Sequence, residues 1–252
     1  MGDARRFRLR KKIAKDIGRA IFDFSMIREG DKILVGLSGG KDSNLLLYAL
    51  CGMRRRGLVR FDVEALTIDP AGGQSDLGRL REYVESLGAP FSVEGYPIFS
   101  ILESRGGKSP CSLCANIRRG MLASAARSRG CNVLALGHHR DDAIETALMN
   151  LLYSGRFRSF HPHIAMSRSG VRVIRPLVYV PERDIAEEND SLALPRIDFN
   201  CKYAAASARA RVKGLIRDLS GESRDVPGSI VHALKNCRES GSWSEEAEHG
   251  FE

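Results

Sequence analysis

Residues Ile33 to Ser43, ILVGLSGGKDS, constrain this chain more than any other stretch. An apolar run reads as a buried strand. It ends in Ser38-Gly39-Gly40-Lys41-Asp42-Ser43, and a Leu-rich helical segment over 43–56 follows. Adjacent glycines let backbone come close to a ligand and aim its N–H groups inward. The helix offers its positive N-terminus to the same ligand, and Lys41 adds a full charge. The stretch reads as a phosphate cradle for ATP. It is not a Walker A loop, which would need Gly at 35 and Ser or Thr at 42, where this chain has Val35 and Asp42.

The rest of the chain alternates in the same way. The pattern predicts strands over 32–37, 61–68, 91–94, 132–136 and 171–175. It predicts helices over 4–24, 43–56, 75–87, 112–129, 140–153, 181–190 and 203–219. Such alternation argues for an α/β fold, a doubly wound and mostly parallel sheet covered on both faces. Ligands of such sheets sit beyond the carboxyl ends of the strands. The SGGKDS turn, Asp69 and Gly137-His138-His139 all follow predicted strands, so one rim would gather them. The expected organisation is a basic helix over 1–30, an ATP-binding domain over 31–200, a helical segment over 201–238, and a disordered acidic tail over 239–252.

The formal net charge of the 252 residues is +8, and the basic residues cluster. Arg5, Arg6, Arg8, Arg10, Lys11, Lys12 and Lys15 crowd the first segment, whose apolar residues Ile13, Ile17 and Ile21 recur at helical spacing. Arg156, Arg158, Arg168, Arg172 and Arg175 form a second group, and Lys202, Arg209, Arg211, Lys213 and Arg217 a third. A polyanion is the natural partner of such clusters, and solvated helix faces are the plain alternative. No apolar run approaches the roughly 18 residues of a membrane span. The N-terminal segment lacks the apolar centre of a secretory signal, so the expectation is a cytoplasmic protein with no membrane partner.

Six cysteines without a secretory signal argue against a disulfide framework. Cys111-Ser-Leu-Cys114 opens a predicted helix after Pro110, where a helix N-terminus favours thiolates. Alone, this pair fits half a zinc site, a redox pair or coincidence. Cys51 and Cys131 sit in apolar surroundings and read as buried core thiols.

The SGGKDS turn resembles the PP-loop of the ATP-pyrophosphatase superfamily, whose fold is Rossmann-like. Leu136-Gly137-His138-His139-Arg140-Asp141-Asp142, the CSLC pair, Ile174-Arg175-Pro176-Leu177, Tyr153-Ser154-Gly155 and Glu182-Arg183-Asp184-Ile185 make the chain similar to the tRNA 2-thiocytidine synthase family over roughly residues 10–235. That resemblance implies an ATP-dependent tRNA sulfurtransferase. ATP would adenylate the C2 oxygen of a cytidine, expected at position 32 of the anticodon loop. Sulfur delivered through a [4Fe-4S] cluster would then replace that oxygen. By position, Cys111, Cys114 and Cys201 would hold the cluster. Leu37, Ser38, Gly39, Gly40, Lys41, Asp42, Ser43, Gly137 and His138 would bind the nucleotide. Lys41, Asp42, Asp69, Asp141 and Asp142 would act in catalysis, Asp42, Asp141 and Asp142 through Mg2+. The implied partners are tRNA and a cysteine desulfurase or other sulfide donor, and a homodimer is compatible with the family. The basic N-terminal helix and the Arg156–Arg158 segment would grip tRNA phosphates. The chain departs from the family pattern after Cys201, where Lys202-Tyr203-Ala204 follow, and after Asp69, where Pro70-Ala71-Gly72-Gly73 follow. A 2-thiouridine synthase of the same superfamily, or a non-catalytic ATP- and RNA-binding adaptor with structural zinc, are the alternative readings.

Overall fold

Strand β1 (Asp31–Gly36) shows how the layers form. Its Ile33 and Val35 enter one core and Leu34 the other, because successive strand residues point to opposite faces. A continuous apolar run is what a strand buried on both faces requires. The computed structural model describes residues 7–104, 110–166, 170–197, 199, 208–221 and 225–236, with only the backbone of 110 and 111.

The elements run α1 (Lys11–Asp23), β1, α2 (Lys41–Arg56), β2 (Phe61–Asp69), α3 (Gly78–Ser86), β3 (Phe91–Gly95), α4 (Ile98–Ser104), α5 (Pro110–Ser128) and β4 (Val133–Ala135). There follow α6 (Arg140–Ser154), β5 (His163–Ala165), β6 (Arg172–Ile174), α7 (Glu182–Ser191), α8 (Ala208–Ser220) and α9 (Val226–Asn236). The sheet order is β3-β2-β1-β4-β6-β5. All pairs are parallel except β5 with β6. Residues of α1, α2, α3 and α7 fill the core on one face, and residues of α4 and α5 fill the other. The doubly wound expectation is met. The strand order reverses between β1 and β4, and their carboxyl ends open the crevice where such sheets bind ligands.

Three elements escaped the pattern reading: β5, α4 and α9. β5 is a three-residue edge strand with two exposed residues, and α4 spans seven residues. Neither is long enough to show a period. Two helices start later than expected, for identifiable reasons. Helix α1 begins at Lys11 rather than residue 4, because the chain before it is pinned in extended form. The Arg8 N–H donates to Tyr48 Oη at 3.1 Å and the Arg10 N–H to Glu188 Oε1 at 2.9 Å. Helix α3 begins at Gly78 rather than 75, because Ser75 is bound to Asp69. As expected, Ile13 and Ile17 of α1 are buried, and Ile21 packs against the same core. Cys51 and Cys131 are buried as the sequence suggested.

Candidate active site

The turn after β1 holds its shape through glycine geometry and mutual serine bonds. Gly39 has φ of +75°, and a Cβ there would lie 2.8 Å from the Cβ of Ile197. The Ile197 N–H donates to the Gly39 carbonyl at 3.0 Å, and Asn44 Nδ2 donates to it at 3.2 Å. Ser43 Oγ accepts from the Ser38 N–H at 3.0 Å and donates to the Gly40 carbonyl at 3.1 Å. Helix α2 starts with Gly40 as its N-cap and no side-chain cap. Its first N–H groups are therefore left for an anion.

Lys41 lies on the outer side of this turn. Its Nζ is 3.0 Å from Asp42 Oδ1 and donates to Glu182 Oε1 at 3.0 Å. Burial alone would lower its pKa, but the two carboxylates raise it. Glu182 opens α7 and also takes a bond from Lys213 of α8. Burial pushes the Glu182 carboxyl up, and the Lys213 and Lys41 ammoniums outweigh it and pull it down to about 2.

A second turn, after β4, closes on the first. A Cβ on Gly137 would lie 2.9 Å from the Ser43 backbone nitrogen, so only glycine lets the two turns touch. His139 caps α6, with its N–H donating to Asp142 Oδ2 at 3.0 Å. The other oxygen of Asp142 accepts from Arg209 Nη1 of α8 at 2.7 Å. Arg209 also reaches Glu145 Oε2 at 3.1 Å.

Between the turns, the carboxyl ends of the strands and α5 lies a cavity of about 600 Å3. Ligand pockets span roughly 300–1,000 Å3, so a nucleotide and part of a second substrate fit. Leu37, Ser38, Asp42, Ser43, Gly137, His138 and Asp142 line it together. The remaining expected residues stand apart. Gly39 and Gly40 form the back of the phosphate turn. Lys41 and Asp141 face α7, where Asp141 Oδ2 accepts from the Glu182 N–H at 2.7 Å. Asp69 is buried beside its own loop, accepting from the Ala71 N–H at 2.9 Å and from Ser75 Oγ at 2.6 Å. Burial pushes the Asp69 carboxyl up, and those bonds hold it below its ordinary value.

Ser112 and Ala115 of α5 line the cavity, so the helical turn that carries the CxxC pair opens on it. Cys114 is half-buried and packs against the core beneath α5. Cys201 and the Cys111 side chain lie outside the described residues. Among the described residues, no group of three or more His, Cys, Asp or Glu side chains is placed to hold a metal.

Sequence reasoning did not place Arg175, Phe160, Arg118, Arg119 and Arg209 at the cavity, nor Glu182 at Lys41. Arg175 and Glu182 lie inside the IRPL and ERDI motifs, which carried a signal of resemblance but no assigned role. Arg209 and Lys213, counted in the sequence as polyanion-binding charge, are spent on Asp142, Glu145 and Glu182. Arg10 and Lys12 are likewise engaged. Arg10 pairs with Glu187 and Glu188, and Lys12 with Asp184, so both fasten α1 to α7.

Residues 9–194 match the family model of the PP-loop domain. The tRNA-cytidine(32) 2-sulfurtransferase of Pelobacter propionicus is 39% identical over 240 residues, covering 93% of this chain and 88% of the relative. That of Bdellovibrio bacteriovorus is 39% identical over 231 residues, covering 91% and 89%. The chain belongs to this family of PP-loop proteins. Among solved structures, the U34-tRNA thiolase NcsA from Methanococcus maripaludis with its [4Fe-4S] cluster superposes with a TM-score of 0.70. It is 22% identical and is covered over 80% of its length by 91% of this chain. That likeness confirms the PP-loop fold. No described helix is long and apolar enough to cross a membrane.

Proposed function

We propose that this PP-loop protein is an ATP-dependent tRNA sulfurtransferase that converts cytidine 32 of the anticodon loop to 2-thiocytidine. One observation carries the reading: the phosphate turn and the turn of α5 bearing the CxxC pair open on the same cavity. Activation and sulfur delivery at a single carbon need that proximity. Family membership supplies the substrate class.

The reaction has two steps. The C2 oxygen of the base attacks the α-phosphorus of ATP, and the bond to pyrophosphate breaks. Sulfide then adds to C2, and AMP leaves carrying the original oxygen. The sequence is redox-neutral when sulfur arrives as sulfide; sulfur from a cysteine desulfurase arrives as a persulfide and reaches that level only with two electrons from a thiol reductant.

In the first step the protein positions groups and offsets charge. The uncapped first-turn N–H groups of α2, at Lys41, Asp42 and Ser43, would face the phosphates. The Lys41 ammonium, held by Asp42 and Glu182 behind the turn, offsets phosphate charge without lining the cavity. Asp42 and Asp142 are the carboxylates lining the cavity among the described residues. They fit Mg2+, which is held by one or two carboxylates plus phosphates and water. Asp69 and Asp141 support the site by ordering the loop after β2 and the start of α7. Cys111, Cys114 and Cys201 would hold the [4Fe-4S] cluster; the neighbours of the pair, Ser112 and Ala115, line the cavity, and the start of a helix favours thiolates. Three thiolates would leave one iron without a cysteine ligand, free to take up the sulfide. A tRNA substrate places the protein in the cytoplasm.

Nucleoside mass spectrometry of tRNA from a deletion strain tests this. The expected result is loss of 2-thiocytidine and its return on complementation. Unchanged 2-thiocytidine with loss of another thionucleoside would overturn it.

A further inference from the structure

The cavity has two unlike ends. Gly36, Leu37, Leu66, Ile68, Leu122 and Leu136 make an apolar slot over β1 and β2. Across the phosphate turn, over β4 and β6, stand His138, Phe160 and Arg175. The Phe160 ring touches both of the others. The His138 ring centroid is 5.1 Å from it, tilted by 51°, and the Arg175 guanidinium carbon is 4.9 Å from it. Arg175 is 6% exposed and has one terminal nitrogen fixed on the His161 carbonyl at 2.6 Å. Its Nε and the Nδ1 of His138 are both buried with no hydrogen-bond partner. Leaving such atoms unsatisfied is costly, and because both residues line the cavity a ligand there is the natural source of the missing partners.

The ligand's chemistry follows from the wall. An aromatic face beside a guanidinium N–H donor and an imidazole nitrogen suits a planar heterocycle that shows an acceptor next to an amino group. Burial, then the Arg175 charge, hold the His138 pKa down to about 4, so its ring is neutral near pH 7 and supplies no charge for a phosphate. ATP places its α-phosphorus between two bases, its own adenine and the base to be activated. The apolar slot needs no hydrogen bonds and suits stacking. The β4–β6 wall offers the hydrogen bonds that tell one pyrimidine from another.

We propose that His138, Phe160 and Arg175 form the pocket for the acceptor cytosine. Phe160 supports its ring, Arg175 donates to its O2 and N3 edge, and His138 accepts from its amino group. The inference rests on the tRNA-cytidine reading of the same site and reassigns His138 from the nucleotide to the acceptor base.

The test measures tRNA-dependent pyrophosphate release with two transcripts that differ only in cytidine or uridine at position 32, alongside ATP binding by calorimetry. Phe160→Leu and His138→Ala should keep the ATP dissociation constant within about twofold. They should lower pyrophosphate release on the cytidine transcript by at least about tenfold, since base stacking and a recognition hydrogen bond are each lost. His138→Ala should also lose about tenfold of the preference for cytidine over uridine. Arg175→Lys keeps the charge without the Nε donor, so it should show the same split while folding normally. A tenfold weaker ATP affinity with full rate at saturating ATP would give the wall to adenine and overturn the proposal. So would an unchanged cytidine preference, or a loss confined to inhibition by inorganic pyrophosphate. If the wild type releases no pyrophosphate with either transcript, the functional reading itself fails. Saturation-transfer NMR with free cytidine and uridine then still decides the pocket. Cytidine contact that is lost in His138→Ala supports it, and its absence in the wild type overturns it.

Discussion

Across one cavity, the β1–α2 turn and the β4–β6 wall differ in how their polar side chains are tied together. Ser38, Ser43, Gly39 and Asn44 bond to one another, and Lys41 is shared between Asp42 and Glu182. On the opposite wall, His138 Nδ1 and Arg175 Nε have no partner. The first region is a preorganised platform whose shape does not wait for a ligand. The second carries a standing cost that a ligand would relieve. The same contrast divides the basic residues of the N-terminal segment. Arg10 and Lys12 are committed to α7. Arg8, Lys11 and Lys15 are exposed, and no described carboxylate pairs with them.

The largest effect should come from the platform. Asp42→Ala removes a carboxylate from the cavity wall and one partner of Lys41. Pyrophosphate release should fall by about 100-fold or more, while tRNA affinity measured by filter binding is retained. A loss under tenfold would mean that the platform serves only to shape the fold.

Gly137→Ala asks whether the two turns must touch. The new methyl would meet the Ser43 nitrogen at 2.9 Å and the Asp42 carbonyl carbon at 3.1 Å, both backbone atoms that cannot rotate away. Thermal melts should show a loss of about 1–3 kcal/mol, and the shift produced by ATP should shrink. A normal melt with normal ATP stabilisation would show the contact to be dispensable.

Next comes the ion-pair support behind Lys41. Glu182 has a folded-state pKa of about 2 against an ordinary value of 4.5. A depressed carboxylate stabilises the fold above its unfolded pKa and loses that contribution as pH falls through the folded value. Glu182→Gln should therefore cost on the order of 1 kcal/mol at neutral pH, after screening by solvent. The difference from wild type should hold down to about pH 5 and vanish as pH approaches 2. Urea melts at several pH values measure it. A difference that instead grew toward low pH would contradict the assigned pairing.

The smallest effect concerns the surface cations. Replacing Arg8, Lys11 and Lys15 together by Gln should weaken tRNA binding about threefold to tenfold at low salt. Each lost phosphate contact should flatten the salt dependence by about 0.7 to 0.9 log units per log salt. Lys12→Gln should leave that slope unchanged and lower the melting temperature, because Lys12 holds α1 to Asp184 at 2.6 Å. Equal slopes for both variants would erase the distinction between committed and free cations.

The fold was legible because β1 and the SGGKDS turn combine a short apolar run with glycines at a helix start, a local pattern with few structural solutions. The two turns that meet in the site were legible for the same reason. What the sequence hid is non-local. Glu182 reaches Lys41 across 141 positions, and Arg209 reaches Asp142 across 67. No periodicity records such pairs. Charge clustering left the ion pairs of Arg10, Lys12, Arg209 and Lys213 unseen, because a count of cations does not show which have carboxylates beside them in the fold. Phe160 and Arg175 were invisible as a pair because β5 and β6, three residues each, bring them together through a short edge hairpin.

The most direct measurement of the central claim is the fate of the terminal phosphates of ATP. With γ-labelled ATP, the purified protein and a transcript carrying cytidine 32, the account predicts labelled pyrophosphate in step with AMP, dependent on the tRNA. Labelled orthophosphate with ADP as the tRNA-dependent products would contradict it.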